Sequence, residues 1–174
     1  ATAIEDMLVH AARIKPGQRV LILAYIDGLY GGDNLVDRDA IRWITRAVQA
    51  HGAKPRVLWV DQPAEAHNWQ FPSEVRTAMD ECDLMINVPI VKHHGLARAT
   101  MCMKNYMGVV ENRRVFHQDI ATCVADITRF MKPRICVLDA TRVLLRNGPT
   151  GGRIEDVDVQ MQVAAGIDPV ALDA

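Results

Sequence analysis

A chain of 174 residues with 49% hydrophobic and 24% charged side chains fits one domain that buries about two-thirds of its unfolded surface, and it is too apolar to stay disordered. With 20 basic and 21 acidic side chains the net charge is −1, so neither nucleic acid nor an anionic membrane surface is an expected partner. Three Phe, three Tyr and three Trp make no base-stacking platform, and no apolar run reaches the roughly 18 residues that a membrane span needs.

Ile4, Met7, Leu8, Ala11 and Ile14 recur at helical spacing, giving an amphipathic helix that Pro16 and Gly17 end. Residues 19–25 are short and almost continuously apolar, the pattern of a strand buried on both faces. A loop rich in Asp, Gly and Asn follows over 27–34. Asp37 is placed to cap a helix whose inner face carries Ile41, Ile44 and Val48 and which His51 and Gly52 close. Residues 55–60 read as the next strand, ending at Asp61. The stretch 65–71 is polar and irregular, which puts the one expected insertion point near 64–70. Pro72 and Ser73 begin a helix through Met79, and residues 84–88 form a third buried strand that Pro89 stops. Residues 97–110 and 119–131 read as helices. Lys132 and Pro133 then break into a fourth strand, 135–138, ending at Asp139. A strand over 157–163 and a turn into helix over 166–174 complete the chain.

Strands that alternate with helices and end at or just before Asp61, Pro89 and Asp139 specify a single α/β domain, with a mostly parallel sheet flanked by helices on both faces. Ligands of such folds bind outside the carboxyl ends of the strands, so one site is expected at that edge. Cys82, Cys102, Cys123 and Cys136 contain no C-x-x-C pair, so no iron–sulfur motif lies within this chain, and they read as buried small hydrophobes. The chain opens Ala-Thr-Ala with no initiator Met and closes on what reads as the start of a helix. The expectation is a product continuing beyond Ala174, either cytoplasmic or exported if a signal was removed before Ala1.

The densest polar cluster is Lys92-His93-His94, set among apolar residues and followed by Lys104-Asn105. Two lysines and two histidines there are costly to bury without partners. A partly desolvated lysine acts as base or nucleophile, and a charged one holds carboxylate or phosphate. His93 and His94 point to opposite sides of an extended segment, so at most one faces a pocket. Gly148-Pro149-Thr150-Gly151-Gly152 has glycines that aim backbone N–H groups at an anion, without being a Walker loop. Among the carboxylates, Asp168 before Pro169 suits a helix cap, and Asp139 suits a lysine partner or metal ligand. His94, His117 and Asp139 together would suit a divalent ion.

Pro89-x-x-Lys92-x-His94-Gly95 followed by Thr100-x-x-x-Lys104-Asn105-x-x-Gly108 resembles the pattern of the domain of unknown function 362 family. The resemblance continues through Lys132-Pro133, the 147–152 loop and Gly166-x-Asp168-Pro169-Val170-Ala171-x-Asp173. It is specific over 83–173 and weaker over 1–82, where the loop over 25–34 stands in place of the family's Lys-Pro-Asn. It implies an α/β domain often found beside ferredoxin-type modules or exported by the twin-arginine route, and it implies no reaction. The expected site is therefore Lys92, His94 and Lys104 as catalytic groups and Asn105, Gly148, Thr150, Gly151 and Gly152 as anion-binding groups. Three functions stay open: an enzyme or redox accessory protein binding a small anionic substrate or cofactor; a scaffold docking an iron–sulfur protein through the Met101 to Met107 segment; and a metal-dependent hydrolase. A homo-oligomer is a further partnership left open.

Overall fold

The computed structural model describes residues 3–25, 38–60, 73–110 and 113–174. The expected loop over 27–34, the Asp37 cap and the polar stretch 65–71 lie outside the described residues. Within them, the opening periodicity folds as a short helix, α1 (Ala3–Asp6), that widens into a π turn over Met7–Ala11 and buries Leu8. Then β1 (Arg19–Tyr25), α2 (Arg38–Ala50), β2 (Lys54–Val60), α3 (Ser73–Asp80) and β3 (Leu84–Val88) stand where the hydrophobic pattern places them. No helix among the described residues is long and apolar enough to cross a membrane.

The segment after Pro89 departs from expectation. The chain does not leave the sheet there. It resumes as β4 (Ile90–His94), turns, and returns antiparallel as β5 (Arg98–Thr100), with Arg98 at φ 64°. The helix expected over 97–110 is thereby shortened to a 3-10 helix, Lys104–Val109. Pairing of β5 with β4 outweighs the helical propensity of Ala97, Met101 and Met103, a tertiary override of a weak local preference. The expected 119–131 helix is α5 (Ile120–Met131), preceded by a separate short helix, α4 (Arg113–Gln118). Asp119 caps α5 by accepting from the Thr122 N–H at 3.3 Å. The fourth expected strand does not end at Asp139: β6 runs over Ile135–Leu144, because β7 (Val157–Gly166) pairs along its whole length. Helix α6 (Pro169–Asp173) closes the fold, capped by Asp168.

Among the described residues the seven strands form one sheet. Its order runs β2-β1-β3-β6, with β4 extending β3 along the same side of β6, β5 beyond β4, and β7 along the other side of β6. All pairings are parallel except β4 with β5 and β6 with β7. Alternate residues of β1 feed two cores. Val20, Ile22 and Ala24 pack with Leu8, Ile41, Ile44 and Val48 on one face. Leu21 and Leu23 pack with Val75, Tyr106, Phe116, Ile127 and Met131 on the other. Helices therefore cover both faces, as the fold class requires.

Ile22 is fully buried, whereas Trp43 on the outer side of α2 is 57% exposed. Ile22→Ala is expected to lower the unfolding free energy by about 2–5 kcal/mol. Trp43→Ala should stay within about 0.5 kcal/mol of the parent in urea unfolding. Equal losses at the two positions would contradict the assigned core.

Candidate functional site

Period-two alternation along β4 puts Ile90, Lys92 and His94 on one face, where they line a cavity of about 270 Å³. Thr100, directly opposite Lys92 on β5, shares that face. The 3-10 helix contributes Lys104, Asn105, Met107 and Gly108, helix α4 contributes Arg113 and His117, and the loop after β6 contributes Pro149 and Thr150. The cavity thus lies beyond the carboxyl end of β3, the expected edge. Lys92 and His94 are each 4% exposed.

His93 points away from the cavity, and its Nδ1 accepts from the Gly148 N–H at 3.1 Å, tying the glycine loop to β4. His94 Nδ1 accepts two backbone N–H groups, from Leu96 at 3.2 Å and Ala97 at 3.1 Å. A ring nitrogen that accepts cannot also carry a proton, so the ring is neutral with its hydrogen on Nε2, available to the cavity. Burial, then the charges of Lys104 and the neighbouring groups, push the His94 pKa down to about 4. Burial also pushes Lys104 down to about 8, helped by the positive charges of Lys92 and Arg113.

The elements that carry these groups are anchored by buried polar contacts. Asp173 accepts from the N–H groups of Cys102 at 2.7 Å and Met103 at 2.9 Å, fixing the entry to the 3-10 helix that presents Lys104. Asn105 donates through Nδ2 to Asn87 Oδ1 at 2.7 Å, and Asn87 donates to the Cys102 carbonyl at 2.9 Å and to Cys136 Sγ at 3.6 Å. Arg113 donates from its terminal nitrogen to the Gly108 carbonyl at 3.2 Å. Its Nε and the Thr100 hydroxyl are buried with no hydrogen-bond partner. Among the described residues no Asp or Glu lines the cavity.

Of the expected site residues, the structure brings together Lys92, His94, Lys104, Asn105, Thr150 and His117. Gly148, Gly151 and Gly152 shape the loop without lining the cavity: Gly152 takes φ 106°, and a Cβ on Gly148 would collide with the His93 carbonyl. The expected nest is in this respect a turn that delivers Thr150. The rings of His94 and His117 stack with centroids 6.2 Å apart, and His117 Nδ1 bonds the Arg113 carbonyl at 2.7 Å. Asp139 does not join them at the cavity wall. It sits inside β6, which continues past it, and its Oδ1 accepts from the Thr141 N–H at 2.9 Å and hydroxyl at 2.7 Å. Among the described residues no three His, Cys, Asp or Glu side chains converge to hold a metal ion, so the expected His94–His117–Asp139 set is not assembled. Met107 lines the cavity, while Met101 and Met103 line a separate groove with Leu96 and Val124.

Arg113, Asn87 and Asp173 are the contributors that sequence reasoning passed over as site residues. The available signal for Asn87 was an amide inside the otherwise apolar run of β3, which demands a buried partner.

His94 also sets a pH dependence. Its unfolded pKa lies near 6.5 and its folded pKa near 4. Between them the unfolded chain binds more protons, so stability falls as pH drops. The expected loss specific to His94 is roughly 3 kcal/mol between pH 6.5 and 4, read as the difference in urea unfolding between the parent and His94→Asn. Identical pH profiles for the two proteins would contradict the neutral tautomer.

A family model, Domain of unknown function (DUF362), matches residues 60–174, a segment that contains every described residue lining the cavity. No curated protein and no solved structure matches the chain.

Proposed function

Because this chain belongs to the domain of unknown function 362 family and the matched segment supplies every described residue of the cavity wall, we propose that the domain binds a small anionic substrate or cofactor there. One observation carries the reading: the described lining of the cavity consists of cations, hydrogen-bond donors and apolar groups, with no carboxylate among those residues, and two of its donors, Arg113 Nε and Thr100 Oγ1, are buried without partners among the described residues. A buried donor left unsatisfied costs about 1–3 kcal/mol, a cost that an anion reaching either atom would offset. Lys104 adds positive charge to the wall, and the neutral His94 ring offers its Nε2–H as a further donor.

Size narrows the guest. A cavity of about 270 Å³ is smaller than the roughly 300–1,000 Å³ that drug-sized ligands and cofactors occupy. A short carboxylic acid or a phosphate group fits that scale, and a dinucleotide does not. The acid–base roles separate by pKa. Lys104, near 8, exchanges a proton close to neutral pH, whereas His94, near 4, serves as a fixed donor. The reading rests on cationic side chains and needs no metal.

Titration calorimetry with oxalate and with inorganic phosphate tests it. Lys104→Met and Arg113→Gln should each weaken the bound anion by about 10- to 100-fold, the worth of one charged hydrogen bond. Lys104→Met should leave the melting temperature unchanged or raised, since it removes a charge from a partly buried position. Folded variants that bind both anions as tightly as the parent would exclude this pocket as the anion site.

A further inference from the structure

Lys104 stands out within that pocket, and the inference rests on the anion-binding reading. Among the described residues no carboxylate is bonded to its ammonium group, and none lines the cavity it enters. Its backbone is held from behind by the Asp173 carboxylate on the Cys102 and Met103 N–H groups, so its position does not depend on an ion pair of its own. Lys92 and Arg113 share the same wall, and Ile90 and Met107 give the cavity apolar surface. A lysine placed among other cations in a small, partly dry cavity is disfavoured as an ammonium ion, and its neutral amine is a nucleophile.

We propose that Lys104 condenses with the carbonyl of a small 2-oxo acid whose carboxylate lies against Arg113 and Lys92. In such an acid the carbonyl is one bond from the carboxylate, so fixing the anion on the two neighbouring cations brings the electrophilic carbon to the third. The Lys104 Nζ lone pair attacks that carbon, a C–N bond forms, and the carbonyl π pair moves to oxygen. One proton passes from nitrogen to that oxygen. A second proton, drawn from solvent, lets the hydroxyl leave as water. The sum is amine, ketone and one proton giving iminium and water, with no change of oxidation state. The His94 Nε2–H is placed to donate to the oxygen during the attack. With its pKa pushed down to about 8, Lys104 is about one-quarter neutral amine at pH 7.5, against about one part in a thousand for an ordinary lysine. The iminium then draws electrons from the adjacent carbon, which loosens either the bond to the carboxylate or a neighbouring C–H bond.

Sodium borohydride traps such a species by delivering hydride to the iminium carbon. The purified protein is treated with pyruvate and borohydride, and labelled lysines are mapped by peptide mass spectrometry. Lactate, which lacks the carbonyl, and oxalate report binding by calorimetry in parallel. The expected result is labelling of Lys104 well above exposed Lys132, and loss of that label in both Lys104→Met and Lys104→Arg. The arginine variant keeps the charge and should still bind lactate. Unlabelled Lys104 in a protein that still binds lactate or oxalate overturns the nucleophile and leaves the anion site standing. Failure of pyruvate, lactate and oxalate alike to bind removes both.

Discussion

An ammonium or guanidinium group that leaves water must find acceptors, give up its proton, or wait for an anion, and the region from β4 to α4 is organised around that constraint. Several of the elements that carry these groups are held by polar contacts to the backbone. Asp173 holds the turn before Lys104 through two backbone N–H groups, and Gly108 holds one nitrogen of Arg113 while its Nε stays unpartnered. His94 is held by the turn it heads, through the Leu96 and Ala97 N–H groups, and is thereby kept out of the proton-exchange chemistry its position invites. Burial first, and then the charges of neighbouring groups, lower the pKa of both His94 and Lys104.

Why the site sits where it does is a matter of strand pairing. Proline lacks the N–H that a ladder needs, so Pro89 divides what would otherwise be one long strand beside β6. Its carbonyl still accepts from the Asp139 N–H at 2.8 Å, which keeps β4 on the sheet. The pairing of β4 with β6 shifts register between Ile90 and Lys92, and β4 ends in the tight hairpin to β5. Beyond β3 the sheet therefore continues as a wall lined by Ile90, Lys92 and His94, in the place where an open α/β sheet binds its ligands.

Much of this was legible in the residues, for specific reasons. Strands β1, β2 and β3 and helix α2 were visible because their apolar periodicity and their breakers agree. Period two allows at most one of His93 and His94 to face the pocket once the segment is extended, and the family pattern selects His94. Lys104, Asn105 and Thr150 entered through motif spacing. The misses share one cause: they depend on partners far away in sequence. Residues 97–103 carry a helix-compatible pattern, and only pairing with β4 makes Arg98–Thr100 a strand. Asp139 looked like a strand end because β7, about 20 residues downstream, was not seen to extend β6. Asp173 entered only as the closing residue of the family pattern, and Arg113 belonged to no motif. The glycines of the 148–152 loop were assigned to an anion nest; in the structure a Cβ would meet the His93 carbonyl at Gly148, the Asn147 carbonyl at Gly151 and the Leu144 side chain at Gly152.

The central claim is that this cavity is built to receive an anion on Arg113, Thr100 and Lys104. The most direct measurement is a crystal of the protein soaked in selenate, with anomalous scattering recorded at the selenium edge. The account predicts a selenium peak inside the cavity, with oxygens in hydrogen-bond contact with Arg113 Nε and Thr100 Oγ1 and close to Lys104. A cavity holding only water at saturating selenate, with the anion bound elsewhere on the surface, would contradict it.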